Sequence, residues 1–153
     1  MNAPRADLPG LDISAHETVI TLPDGATLTL PIGAATLWVP TAAGPTALAL
    51  ENGIQTVEDA IERVVAQVPS GASMLLSERS WAPLQRGGAV EALAEGTLGL
   101  ADIEREYQWL AARAIGAPSA RGSGFEDPSG DAIVLILREC MHHLRVDALH
   151  IVA

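Results

Sequence analysis

Cys140-Met141-His142-His143 is the stretch of this chain whose residue types most resemble a metal site or a thiol active centre. Thiolate sulfur and imidazole nitrogen are donors that zinc favours, and a cysteine beside a histidine base is the simplest nucleophilic pair. The spacing works against both readings. Adjacent residues on a helix diverge by about 100°, so His142 and His143 do not close on one ion. Glu139 with His143 at i+4 and Cys140 with His143 at i+3 do share a face, and His150 becomes a third ligand only if the last strand is brought back. No CxxC or HExxH accompanies the cluster. The expectation is no metal and no cofactor, with Cys140 an inert core thiol and the histidines on a polar face.

A second candidate is Ser77-Glu78-Arg79-Ser80-Trp81, which follows an apolar run and is itself followed by Arg86-Gly87-Gly88. Loops at the carboxyl ends of strands carry ligands in open sheets. Glu78, Arg79, Trp81 and Arg86 are therefore the expected ligand-binding residues, combining a carboxylate, two guanidiniums and an indole. A third candidate is Asp102, Glu106, Trp109 and Arg113, the polar flank of a long helical pattern with an aromatic standing off the apolar stripe. Tryptophan and arginine are enriched at the centres of protein interfaces, so these four are the expected partner-binding residues. None of GxSxG, GxGxxG or DxDxDG is present.

Composition narrows the chemistry further. The chain contains no lysine, and all nine basic residues are arginines against nineteen acids. Schiff-base catalysis, a Walker-type phosphate loop and a protein-kinase lysine are thereby excluded. A net charge of −10, with arginines scattered singly, excludes a nucleic-acid footprint. The single Cys140 excludes an internal disulfide. No apolar run is long enough to span a bilayer and Met1–Asp12 lacks a signal-peptide core, which makes a soluble cytoplasmic protein the expectation.

The elements that must position these residues follow from periodicity. Residues 1–12, broken by Pro4, Pro9 and Gly10, read as a disordered lead-in to one domain over 13–153. His16–Leu22 and Ala26–Ile32 alternate around Pro23-Asp24-Gly25, a hairpin with Leu28, Leu30 and Ile32 on one face. Thr36–Val39 and Thr46–Leu50 read as two further short strands. Thr56 with Asp59 suggests the cap of a helix over 56–68, followed by a buried strand at 72–77. A short helix at 89–95 and a longer one at 100–115 come next, the latter with the stripe Ile103, Tyr107, Leu110 and Ala114. Ala132–Leu137 alone would pass for a strand. The wider window Ile133, Ile136, Leu137, Cys140, Met141, Leu144 is helical, with Asp131 as its cap and Arg138, Glu139, His142 and His143 on the far side. A last strand occupies 146–152.

The predicted fold class is α+β, a mixed sheet with an N-terminal hairpin covered by about three helices. High acidity and the absence of catalytic motifs predict a small non-catalytic binding or regulatory protein. It would dock on a protein partner or a second copy, in the manner of an inhibitor, an immunity protein or an accessory subunit. The alternative is a small enzyme or ligand-binding domain using the Glu78/Arg79 loop or the Cys140/His143 region.

Overall fold

The computed structural model describes residues 7–85 and 96–152. The expected helix at 89–95 and Arg86 lie outside the described residues.

Alternation of small polar and aliphatic residues builds the sheet. The strands are β1 (Gly10–Ile13), β2 (Thr18–Thr21), β3 (Thr27–Leu30), β4 (Ser73–Ser77), β5 (Thr97–Gly99) and β6 (Ala148–Val152), in spatial order β3-β2-β1-β4-β6-β5. β1 pairs antiparallel with β2 and parallel with β4, β4 runs parallel to β6, and β5 is antiparallel to β6. This is the mixed sheet the patterning predicts. Each strand turns one set of side chains inward. Leu11, Ile13, Ile20, Leu30, Met74, Leu76, Leu98 and Leu149 are buried. The register puts Gly10, Asp12, Val19, Thr21, Leu75, Ser77, His150 and Val152 on the opposite face. Residues there are half-buried or exposed, as expected of a sheet packed on one side only.

Helices α1 (Ala47–Glu62), α3 (Leu100–Ala114) and α4 (Gly130–His143) cover the inner face, while α2 (Glu78–Trp81) is a single turn that continues into a 3₁₀ turn at Ala82–Leu84. Helix α4 packs against both α1 and α3, so eleven of its residues, from Gly130 to Met141, are buried nearly all round. That central position explains why its aliphatic run resembles a strand when read alone.

The hairpin closes as expected, with the Ala26 amide donating to Asp24 Oδ1 and the Leu22 amide to the Ala26 carbonyl. Other expectations are corrected. The chain enters the sheet at Gly10, inside the stretch read as a lead-in, because Leu11 and Ile13 alternate with Gly10 and Asp12. Thr46–Leu50 is the start of α1, not a strand. Thr46 Oγ1 accepts from the Ala49 amide, and Leu50, Gly53, Val57, Ala60 and Ile61 continue one buried stripe. Thr56 is mid-helix, its hydroxyl donating to the Asn52 carbonyl. Thr36–Val39 is a turn leading to Trp38, which packs over Gly53. A Cβ on Gly53 would lie 2.9 Å from the Trp38 ring and 3.2 Å from Leu135. Asp131 does not cap α4; its carboxylate is spent on Arg113, described below. β5 was not anticipated, since three residues are too few to show a period.

Among the described residues no helix is long and apolar enough to cross a membrane.

Candidate active site at the carboxyl ends of β1 and β4

β1 and β4 are parallel neighbours, so their carboxyl ends open on the same side of the molecule. Asp12 lies one residue from the end of β1 on the uncovered face, and Ser77 ends β4 in the same orientation. The chain then turns into α2, which brings Arg79 and Ser80 back over β1. Arg79 grips Asp12 with two donors, Nε to Oδ1 at 2.9 Å and Nη2 to Oδ2. Ser77 Oγ donates to Asp12 Oδ1 at 2.5 Å and lies 2.7 Å from Ser80 Oγ. Ser80 Oγ in turn accepts the Ile13 amide at 2.7 Å, tying α2 to the end of β1.

The bidentate Arg79 contact is the largest influence on Asp12 and holds its carboxyl below the usual range; burial opposes this, and Ser77 and Ser80 add to it. Asp12 is therefore an anion at neutral pH. The Arg79 side chain is 68% exposed, so the guanidinium can meet a ligand from solvent. Beside this cluster, Gly10, Leu11, Asp12, Thr21, Leu75 and Ser77 help line a depression of ≈ 410 Å³ on the open face.

Of the expected ligand residues, Arg79 stands in this cluster. Glu78 is exposed on the first turn of α2. Trp81 is corrected: at 7% exposure it is a core residue and its indole is not presented to a ligand. Asp12, Ser77 and Ser80 complete the constellation. Asp12 was missed because its strand lay in the presumed lead-in, although the Leu11/Ile13 alternation was there to be read.

The expected partner surface on α3 divides. Trp109 is 39% exposed and off the stripe, as anticipated. Asp102 caps α3, accepting the Gly99 amide at 2.9 Å and pairing with Arg105. The Arg113 side chain is largely buried rather than displayed on the helix surface. Its Nη1 and Nη2 donate to Asp131 at 3.1 and 2.6 Å in an ion pair whose side chains are 8% and 4% exposed, and its Nε is buried without a hydrogen bond. Gly44, at φ +79°, makes room for the pair, since a Cβ there would sit 2.8 Å from Arg113 Nη1.

At the C-terminal candidate, Cys140 is buried, as expected, and burial, with Glu139 adding to it, pushes its thiol up to about 12. That leaves no thiolate for nucleophilic attack or ligation near neutrality. Glu139 is corrected from an exposed position to a buried one, bonded to Arg138 at 2.8 Å. His142 contacts Glu104 of α3, and His143 faces Glu139 and Glu58. His150 is not a third ligand there; its Nδ1 lies 3.2 Å from Thr97 Oγ1.

No protein-family model and no curated protein matches the sequence. Solved structures do match in fold. The Aquifex aeolicus PPX-GPPA enzyme superposes with a TM-score of 0.63 at 16% identity, over 97% of this chain and 54% of that one. An exopolyphosphatase-like protein gives 0.62 at 13% identity over 97% and 57%, and the type II variant of the A. aeolicus Ppx/GppA phosphatase 0.57 at 16% over 97% and 53%. This chain thus spans about half the length of the structures it resembles, and at these identities the likeness is one of fold. It overturns the expectation of a non-catalytic binding or regulatory protein, because the architecture is the one these phosphatase-family enzymes use.

Proposed function

We propose that this chain is an enzyme domain that binds a phosphorylated ligand on the open face of the sheet and belongs to the phosphatase class of chemistry. The observation that carries the reading is the convergence of Asp12 from β1 with Ser77 from the end of β4 and Arg79 from α2 beside an open depression. Fold likeness to proteins described as Ppx/GppA phosphatases and an exopolyphosphatase-like protein adds the ligand class by analogy.

The chemistry follows from the donors. Asp12 occupies Nε and Nη2 of Arg79, which leaves Nη1 to meet the oxygens of a phosphoryl group. The hydroxyls of Ser77 and Ser80 lie within the same cluster. In hydrolysis, water attacks phosphorus while the bond to the leaving oxygen breaks, and the proton that water loses passes through solvent to the leaving oxygen; Arg79 offsets charge on the phosphoryl oxygens, and the ionised Asp12 fixes the guanidinium and accepts a hydrogen bond from the water. The overall charge of −10 disfavours a polyanion at long range, so recognition depends on this local cation. The reading includes a cytoplasmic setting, which the lone Cys140 supports.

Calorimetry with tripolyphosphate, alongside release of inorganic phosphate from tripolyphosphate and p-nitrophenyl phosphate, tests the proposal. Saturable binding that is lost in Arg79→Ala and weakened in Asp12→Asn is the expected result. A folded wild-type protein that neither binds nor cleaves these compounds would exclude it.

A further inference from the structure

Glu139 carries a carboxylate into the interface between α1 and α4, with only 4% of its side chain exposed. One oxygen is held by Arg138 at 2.8 Å. The other, Oε2, lies 3.3 Å from His143 Nε2, one helical turn further along α4. Glu58 reaches across from α1 and sets Oε1 3.8 Å from the same nitrogen. That last distance is beyond hydrogen-bond range, so hydrogen bonding does not account for the approach of a second carboxylate. One imidazole nitrogen can donate a single proton, yet two carboxylate oxygens converge on it. A cation placed between them would satisfy all three groups.

We infer that Glu58, Glu139 and His143 form a binding site for a divalent cation, of which Zn²⁺ fits best. The three ligand atoms lie within 4.8 Å of one another. Zinc bonds of about 2.0–2.1 Å in a tetrahedron put neighbouring ligands roughly 3.3 Å apart, the spacing already present between His143 and Glu139. The remaining edges close by movement of Glu58, whose side chain is one-third exposed and free to turn. One nitrogen and two oxygens leave the fourth position to water, and the imidazole selects zinc over magnesium. Arg138 supports the buried ligand by holding its outer oxygen, the part that second-layer groups play at metal centres.

The neighbours are distinguishable. Cys140 points into the core as a thiol and His142 turns to Glu104, so neither joins the set. The site lies at the end of α4 that feeds β6, and β6 runs parallel to β4. It therefore sits at the opposite end of the sheet from Asp12, and does not depend on the proposed phosphoryl chemistry. Its role would be to clamp α1 to α4.

Untagged protein, stripped with chelator and titrated with Zn²⁺, should bind one equivalent by calorimetry and show a raised thermal midpoint. Glu58→Gln and His143→Ala should each weaken binding by about ten-fold or more, and His142→Ala should leave it unchanged. Glu58 is on the surface, so Glu58→Gln remains informative should His143→Ala unfold. No stoichiometric binding by the wild type, or equal affinity in wild type and Glu58→Gln, overturns the inference; so does an equal loss in His142→Ala.

Discussion

Two bidentate aspartate–arginine pairs lie at different depths in this molecule, Arg113 donating through Nη1 and Nη2 and Arg79 through Nε and Nη2. Arg113 with Asp131 is almost wholly enclosed between α3 and α4, walled by Gly44 and Gly124. Arg79 with Asp12 stands at the mouth of a depression, its guanidinium largely in water. Burial sets the two pairs apart. The enclosed pair is largely shut off from water, and its disruption would strand a charge there. The exposed pair contributes little to stability, since water screens it, but it keeps a cation and an anion aligned where a ligand can reach them. By residue type alone, Arg113 belongs on a binding surface and Asp12 in a lead-in. Depth, not residue type, distinguishes the two pairs.

The largest expected effect comes from splitting the enclosed pair. Asp131→Asn should cost about 3–5 kcal/mol in urea unfolding, because Arg113 is then buried without its counter-charge. Replacing both partners, as Arg113→Met with Asp131→Leu, should cost less than that single change. A double variant as unstable as the sum of its singles would break the comparison. Next in size is the functional effect at the exposed pair. Arg79→Ala should leave the urea midpoint near that of the wild type while removing tripolyphosphate binding; a large loss of stability would mean that Arg79 is structural too.

The smallest effect is electrostatic and lies in the acid limb. Burial opposes ionisation of Glu104, yet its contacts with His142 and Arg138 outweigh that and hold its carboxyl below the ordinary range. A carboxyl lowered in the folded state adds stability above its unfolded value and loses it as pH falls through the folded one. Stability should therefore decline on acidification below the ordinary glutamate range, and Glu104→Gln should flatten that decline in thermal melts taken from pH 6 to pH 3. An unchanged slope would show that the α3–α4 contact carries no linkage.

How much of this was legible in the chain follows from the range of the interactions. The β2–β3 hairpin, α3 and α4 were readable because their signals are local: a turn between alternating runs, and apolar stripes with a stop at Gly116. The start of α1 was misread because Ala-Leu-Ala-Leu alternates for four residues before the helical period becomes visible at Leu50 and Gly53. β1 was lost because Pro9 and Gly10 look like linker residues, and its justification is its pairing with β2 and β4. The same limit hid the sites. Arg79 was singled out from its place after an apolar run. Asp12 and Glu58 come from other elements, and nothing local in the chain ties either of them to its partners.

The parallel pairing of β1 with β4 has a kinetic consequence. Asp12 and Ser77 are 65 positions apart along the chain, and Asp12 and Arg79 are 67 apart. Closing so long a loop costs entropy before any contact repays it, and parallel pairings of this kind form slowly compared with hairpins and helices. An early folding species can hold the hairpin and the separate helices and still lack the two sides of the cluster. Ligand-binding competence should thus be among the last properties to emerge during refolding, so a bound phosphoryl compound would report completion of the central sheet, not of the elements that flank it.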